Sequence, residues 1–340
     1  QDNGQLLRPS PLIESLPVKA ELDPLAQPVE HPPALERLLD EQGPPLEPGH
    51  TIFGGSGVLD KQARNPLWAF VQYRLHTQAL PSYEDTRAIR LWRGNFLHRA
   101  LELVWLSIEP KDSTGLEQAF IQQTISTRIQ LAVEQAALEE LAKMPLVIRQ
   151  LEIERALGVL TTWFELERTR SPFCVRALEQ EHALPDFNTR MRIDRIDELN
   201  DGRLVLMDYK ASVAHKRYVA WLRERPIELQ LPIYAALLTQ QDKTVAALGF
   251  GFLHYEAVLG GFSHDPELLT QTDQKRFDEC FSSWAEFEQH LIEHVWAMRD
   301  EFLQGVARNQ YYALDDLMYC DVVPFLRLNQ EVWDELDEAE

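Results

Sequence analysis

The chain has 340 residues, 45% of them hydrophobic, and a formal net charge of −21. That length supports a large core in one to three domains, and no apolar run reaches the roughly 18 residues of a membrane span, so no membrane partner is expected. The acidic balance argues against a chain that coats nucleic acid by bulk charge, and three widely separated cysteines, Cys174, Cys280 and Cys320, suit a reducing, cytoplasmic setting rather than a disulfide framework.

Residues 1–50 are rich in proline and polar groups, as in Pro44-Pro45-Leu46-Glu47-Pro48, and read as an extended arm or linker with little core of its own. Gln1-Asp2-Asn3-Gly4 lacks the apolar stretch of a signal peptide; a start on Gln is expected of a processed chain or a piece of a longer one. A first helix is predicted from about Asp60 to Leu75. A second runs from Thr86 to Ile108, where Leu97, Ala100, Leu101, Val104 and Trp105 form an apolar stripe at helical spacing. His98 and Glu102 stand four apart on an adjoining face. Residues 115–170 read as two or three helices with Pro145 as a boundary, Trp163 and Phe164 as core, and no evident chemistry.

Strands are predicted at Cys174–Leu184, Thr189–Glu198 and Arg203–Lys210, then a helix opening at Pro226 and carrying Glu228, Gln230 and Tyr234. Pro232 makes that helix kink or start late. A strand over Val245–Tyr255 follows, its packing interrupted by Gly249 and Gly251, then a long helix from Asp273 to Gly305 with Trp284, Phe287 and Trp296 as core. The acidic tail, about 327–340, reads as solvated. No internal repeat is present.

The chemistry concentrates around a hairpin. Asn200-Asp201-Gly202 is a strong turn signal between two strand-like flanks. A three-residue loop centred on Asp201 places Asp194 opposite Asp208, and opposed residues share a face with Cβ atoms about 4.5–5.5 Å apart. Lys210, two residues beyond Asp208, lies on the same face. Leu204-Val205-Leu206-Met207 is apolar on both faces, so a buried strand ends in Asp-Tyr-Lys and must pair or coordinate those charges. Taken singly, an Asp or Lys near a hairpin is usually a solvated turn charge. Together, two carboxylates and a lysine suit Mg²⁺ or Mn²⁺ and metal-assisted phosphodiester hydrolysis.

Five elements in order extend this reading: Gly94-Asn95-Phe96-Leu97-His98, Glu179, Asp194-Arg195-Ile196-Asp197, Asp208-Tyr209-Lys210 and Gln230-Leu231-Pro232-Ile233-Tyr234. In this order and spacing the chain resembles the RecB/AddB-type branch of the PD-(D/E)XK nucleases, from about Arg64 to Leu326. The resemblance implies an α/β fold with a restriction-endonuclease-like core: a mixed sheet of four or five strands flanked by helices, with a helical insertion at about 110–170. It implies a nuclease domain over 51–326, between the 1–50 arm and the 327–340 tail.

By the same resemblance, Asp194, Asp208, His98 and the main-chain carbonyl of Tyr209 are candidate metal ligands. Glu179, preferred over Glu181, completes the acidic set. Lys210 touches the attacking water or the scissile phosphate, and Gln230 and Tyr234, i and i+4 on one helix face, line the site. The bland alternatives are a solvated edge charge for Glu179 and ordinary packing for His98 and Tyr234. Arg192, Arg195, Lys216, Arg217, Arg223 and Arg225 are candidate phosphate contacts, with Tyr218 and Trp221 as base-stacking rings. From Arg190 to Arg225 there are nine Lys/Arg against six Asp/Glu, the reverse of the global balance.

Two departures stand out. Met191 replaces the glycine usual before the Asp-Arg-Ile-Asp strand, where a side chain could crowd the backbone. Asn65 and a lone Cys320 stand where many relatives hold the four cysteines of an iron–sulfur cluster, so no such cluster is expected and packing must join those ends.

The implied function is a Mg²⁺- or Mn²⁺-dependent deoxyribonuclease of DNA repair or recombination, exonuclease or endonuclease unresolved. Its partners would be DNA, single-stranded or ends, and a helicase domain or subunit. The rivals are a DNA-binding or scaffold module that keeps the fold without turnover, and a metal-dependent phosphatase acting on small substrates.

Overall fold

The computed structural model describes residues 40–47, 49–78, 86–184, 187, 189–211 and 216–328, with only the backbone described at 86–90 and 189. Most of the expected arm and nearly all of the expected tail lie outside these residues. What is described of the arm is fastened: the Gly43 and Leu46 N–H groups donate to Gly305 O and Leu303 O, and Ala307 N–H donates back to Glu41 O.

The chain opens with α1 (Gly57–Arg64) and α2 (Pro66–Ala69), which runs into a π-helical turn at Phe70–Arg74. The expected single helix is thus broken at Asn65-Pro66, because Pro66 has no N–H to continue α1 and Asn65 instead caps α2, its side-chain oxygen accepting from Trp68 N–H. Helix α3 (Thr86–Ser107) is followed by α4 (Ser113–Ile121), α5 (Ile125–Glu140) and α6 (Leu146–Arg168), with Pro145 at the start of α6 as expected.

Strands β1 (Phe173–Leu184), β2 (Thr189–Leu199) and β3 (Leu204–Lys210) form an antiparallel meander. A 3₁₀ turn at Arg217–Leu222 and helix α7 (Gln230–Thr239) then cross to β4 (Val245–Phe252), which pairs parallel with β3. Helix α7 starts later than Pro226, with Pro232 in its first turn, where a missing N–H costs nothing. Strand β5 (Val258–Ser263), not foreseen from its Gly-Gly sequence, closes the sheet in the order β1-β2-β3-β4-β5.

The expected long helix is two: α8 (Gln274–Cys280) and α9 (Trp284–Gln304). Ser283 caps α9, and Glu286 accepts from both Ser282 N–H and Ser282 Oγ, a local bonding set that ends one helix and begins the next. A last turn, α10 (Val323–Leu326), packs with Leu317, Cys320 and Val322 against Trp68 and Val71 of the opening segment. Asn65 Nδ2 donates to Asn309 Oδ1 at 2.8 Å and Asn309 Nδ2 to Leu326 O at 2.6 Å, so side-chain amides and apolar packing join the two ends.

Strand β3 is buried on both faces, as its unbroken apolar run requires. Leu204 and Leu206 enter a core with α1, α7 and α9, while Val205, Met207 and Tyr209 enter a second with α3, α5 and α6. Gly251 lies beside Tyr209 in the parallel pair, and a Cβ there would meet the Tyr209 and Trp163 rings at 2.7 and 2.8 Å. The glycine therefore makes room for packing rather than interrupting it. No helix among the described residues is long and apolar enough to cross a membrane.

Candidate active site

The β2–β3 hairpin has the register expected from its turn. Arg195 pairs with Met207 and Asp197 with Val205, and Gly202 turns the chain at φ +84°. One step beyond the last pair, Asp194 and Asp208 lie level. On the other side of β2, Leu178 pairs with Arg195 and Gln180 with Ile193, which brings Glu179 level with Asp194. Glu179 itself has φ +49°, a left-handed conformation uncommon for a residue with a side chain and a form of strain that gathers at functional sites.

His98 reaches these strands from α3. Its Nδ1 lies 3.4 Å from Asp194 Oδ1 and 3.6 Å from Glu179 Oε1, and its Nε2 lies 3.1 Å from the Tyr209 carbonyl oxygen. Tyr209 N–H donates to Asp194 Oδ2 at 2.6 Å. His98, Glu179 and Asp194 thus offer three donor atoms within 4.8 Å of one another. Asp208 stands beside this trio, its Oδ2 2.6 Å from Lys210 Nζ. The rival Glu181 is exposed and paired with Arg190.

His98, Asp194, Asp208 and Lys210 open onto a cavity of about 650 Å³ at the end of β3, lined also by Leu91 and Gly94 of α3, Arg192 of β2, Tyr209, Ala211 and Gln230 at the start of α7. Gln230 Nε2 donates to Arg192 O at 3.5 Å. Tyr234, one turn on, is fully buried behind the cavity rather than in its lining, its hydroxyl without a hydrogen-bond partner among the described residues. Met191 is buried in the core with α1 and α7 and does not line the cavity, so it does not crowd the site.

The electrostatics follow from burial set against close opposite charges. Burial raises the Asp208 carboxyl to about 6, the pull of Lys210 being partly cancelled by repulsion from Asp194. Burial works against a charged His98, yet Asp194, Glu179 and Asp208 outweigh it and lift the imidazole to about 10. Burial also opposes ionisation of Asp194, but His98 keeps it below the usual carboxylate range. Lys210 is raised because Asp208 outweighs burial.

The residues fit a divalent cation. The donor trio is hard and mostly oxygen, and Asp208 Oδ2 and Glu179 Oε2, though close to Lys210 and Arg192, are buried without a hydrogen bond of ordinary geometry.

The candidate phosphate contacts divide. Arg192 lines the cavity, pairs with Glu179 at 2.7 Å and is mostly exposed. Lys216 and Arg217 are also accessible, paired with Asp273 at 3.2 Å and Glu228 at 3.7 Å. Arg195 cannot contact DNA: it is 0% exposed, pairs with Glu167 at 2.7 Å and Asp197 at 2.6 Å, and donates to Tyr209 Oη at 3.2 Å. Arg225 is engaged in joining α1 to α9, donating to Gln62 O, Ala63 O and Glu301. Arg223 pairs with Asp316 at 2.8 Å. Tyr218 and Trp221 are fully buried and cannot stack on bases; they anchor the 3₁₀ turn, Trp221 Nε1 donating to Glu228 O.

Sequence reasoning missed Glu167, the buried partner of Arg195 and Arg170. A signal was present: Leu160, Trp163, Phe164 and Glu167 recur at helical spacing, which puts an acid on the apolar stripe of α6.

Residues 58–322, most of the chain, match the PD-(D/E)XK nuclease superfamily, and the chain belongs to it. Nucleases of this superfamily use divalent metals. No curated protein matches the chain.

Proposed function

We propose that the chain is a Mg²⁺- or Mn²⁺-dependent deoxyribonuclease of the RecB/AddB-type branch, a cytoplasmic repair or recombination module that acts beside a helicase domain or subunit. The observation that carries the metal-dependent reading is the joint placement of His98, Asp194, Asp208 and Lys210 on one cavity, with Glu179 beside His98 and Asp194, within a nuclease-superfamily fold. Asp194, Glu179, His98 and the Tyr209 carbonyl would hold the cation, with Asp208 joining them once Lys210 turns to substrate. A bound divalent cation supplies Lewis-acid neutralisation of the scissile phosphate and a more acidic water.

The chain's own groups do the rest. Lys210, protonated at neutral pH by its acidic neighbours, stabilises charge that develops on the phosphate oxygens. Gln230 orients the strand at the cavity wall, Leu91 gives an apolar rim for a base, and Arg192 offers a guanidinium to the next phosphate. Buried Tyr234 backs the carboxylates and fixes the start of α7. A second reading, a nuclease fold kept as a DNA-binding scaffold, draws on the −21 charge and on the internal use of Arg195 and Arg225.

End-labelled single- and double-stranded DNA incubated with Mg²⁺ or Mn²⁺ separates the two. Cleavage that needs metal and disappears in Asp208→Ala and Lys210→Ala supports the enzyme. A folded chain that binds DNA and never cuts it supports the scaffold.

A further inference from the structure

A second cavity, of about 410 Å³, is lined by Glu228, two residues before Gln230, which lines the first. Glu228 has φ +62°, and its conformation is held from both sides: its N–H donates to Asp60 Oδ1 at 2.6 Å and its carbonyl accepts from Trp221 Nε1 at 3.0 Å. Its carboxylate also acts on Lys210, which ties the second cavity electrostatically to the first.

The lining is strongly basic for an acidic protein: Arg64, Lys216, Arg217, Arg223 and Arg276 face Glu228, Asp315 and Asp316. These charges are unequally engaged. Arg64 is bound by Asp60 and Glu228 at 2.7 and 2.8 Å, and Arg223 by the buried Asp316 at 2.8 Å. Lys216 makes one exposed hydrogen bond to Asp273 at 3.2 Å, Arg217 and Arg276 have only looser pairings at 3.7 and 3.8 Å among the described residues, and all three are more than a third exposed. Arg217 is presented by the 3₁₀ turn. With about three residues per turn, Tyr218 and Trp221 share its buried face, while Arg217 and Ala220 share the face toward the cavity. Across from them Tyr312, 72% exposed, lies under the Arg223 guanidinium at 5.1 Å.

We propose that this cavity is a nucleotide subsite for single-stranded DNA, in which Lys216, Arg217 and Arg276 hold a backbone phosphate and the Tyr312 ring stacks on a base. The inference rests on the DNA nuclease reading and extends it to the strand beyond the cleavage site. Loosely paired, exposed cations exchange a protein carboxylate for a phosphate at little cost, whereas fully engaged ones do not. An exposed tyrosine with a fixed arginine on one face offers its other face as a sequence-tolerant stacking platform. The volume falls in the range of cavities that take compact ligands, about 300–1,000 Å³.

The test is anisotropy of a fluorescein-labelled oligothymidine of about 12 nucleotides, a length within single-strand site sizes, titrated with the full chain in EDTA at several salt concentrations. Tyr312→Ala is expected to weaken binding about tenfold while Tyr312→Phe does not. Arg217→Ala/Arg276→Ala is expected to weaken it and to flatten the salt dependence by about one phosphate contact. Circular dichroism melts identify any variant that fails to fold, and Arg190→Ala, at an exposed pair with Glu181, serves as the control. Folded Tyr312 and arginine variants that bind like the wild type, or a wild type that does not bind the oligonucleotide, overturn the subsite. The outcome separates from that of the nuclease reading: binding that tracks Tyr312 in a chain that never cleaves DNA keeps the subsite and removes the enzyme, and cleavage with unaltered binding does the reverse.

Discussion

Asp194 and Arg195 are neighbours on β2, and their side chains leave the strand in opposite directions. Arg195 enters a closed network: Glu167 and Asp197 meet Arg195 and Arg170, two acids against two bases, with the Tyr209 hydroxyl as an added acceptor and the Trp105 ring 4.3 Å from the guanidinium. Asp194 enters an open one, where three acids meet His98, Lys210 and the mostly exposed Arg192 beside a cavity of about 650 Å³. Tyr209 belongs to both, its ring bonded into the closed network and its peptide N–H and carbonyl facing Asp194 and His98 in the open one. The contrast teaches how to read buried charge. A sealed cluster of balanced charge fixes geometry, whereas one that meets solvent through a cavity and holds carboxylate oxygens without a hydrogen bond keeps binding capacity in reserve.

The largest effects that could break this comparison are on activity. Lys210→Ala or Asp208→Ala should lower cleavage by roughly 10²-fold or more, since on the proposed reading Lys210 faces the phosphate and Asp208 helps to hold the cation. Thermal melts should show both variants folded. A comparable loss of activity in a variant outside the cavity, such as Glu181→Gln, would dissolve the distinction between site and surface.

Next in size is the closed network. Arg195→Ala leaves Glu167 and Asp197 buried against too little positive charge and should cost about 3–5 kcal/mol of stability, read by urea denaturation. Stability within error of the wild type would mean that the network is not the rigid support it is taken for here.

A half-buried titratable group on which burial and positive neighbours outweigh the nearby Glu301 gives a third case. Burial, with help from Arg225 and His290, lowers His294 to about 4. Its folded value lies below an unfolded value near 6.5, so the unfolded chain binds the extra proton between the two. The stability that depends on neutral His294 is complete above about 6.5 and drains away as pH falls toward about 4. Denaturation curves across that window should be flatter in His294→Gln. The smallest effect is expected at the surface: Arg176→Ala, which breaks an exposed pair with Glu198, should leave the melting temperature unchanged within error at moderate salt.

The Asp194, Asp208 and Lys210 part of the open cluster was legible because its geometry follows from local rules, whereas Glu179 and His98 were expected only from the family resemblance. The Asn-Asp-Gly turn fixes one register, and that register levels Asp194 with Asp208 and brings Lys210 to the same face. The fate of the arginines was not legible. Arg192 and Arg195 stand three residues apart in one motif, yet one lines the cavity and the other is sealed beneath α3 and α6. Alternation sends them to opposite faces, but that the Arg195 face is sealed rather than solvated depends on Glu167, 28 positions upstream, a contact that the β2 pattern does not specify. Tyr218 and Trp221 failed for the same reason: an aromatic between cations reads as a stacking ring until the tertiary fold buries it. Strand β5 was missed because Val-Leu-Gly-Gly-Phe-Ser lacks alternation, and the glycines are needed there by packing, since a Cβ at Gly261 would fall 2.0 Å from Leu248 O.

The central claim, that the open cluster is a cation site and the closed one is not, is tested most directly by calorimetric titration of the full chain with Mn²⁺. The account predicts saturable binding by the wild type, its loss in Asp194→Ala and in Glu179→Gln, and its retention in Glu181→Gln. A folded wild type that binds no Mn²⁺, or binding that Asp194→Ala leaves untouched, would contradict it.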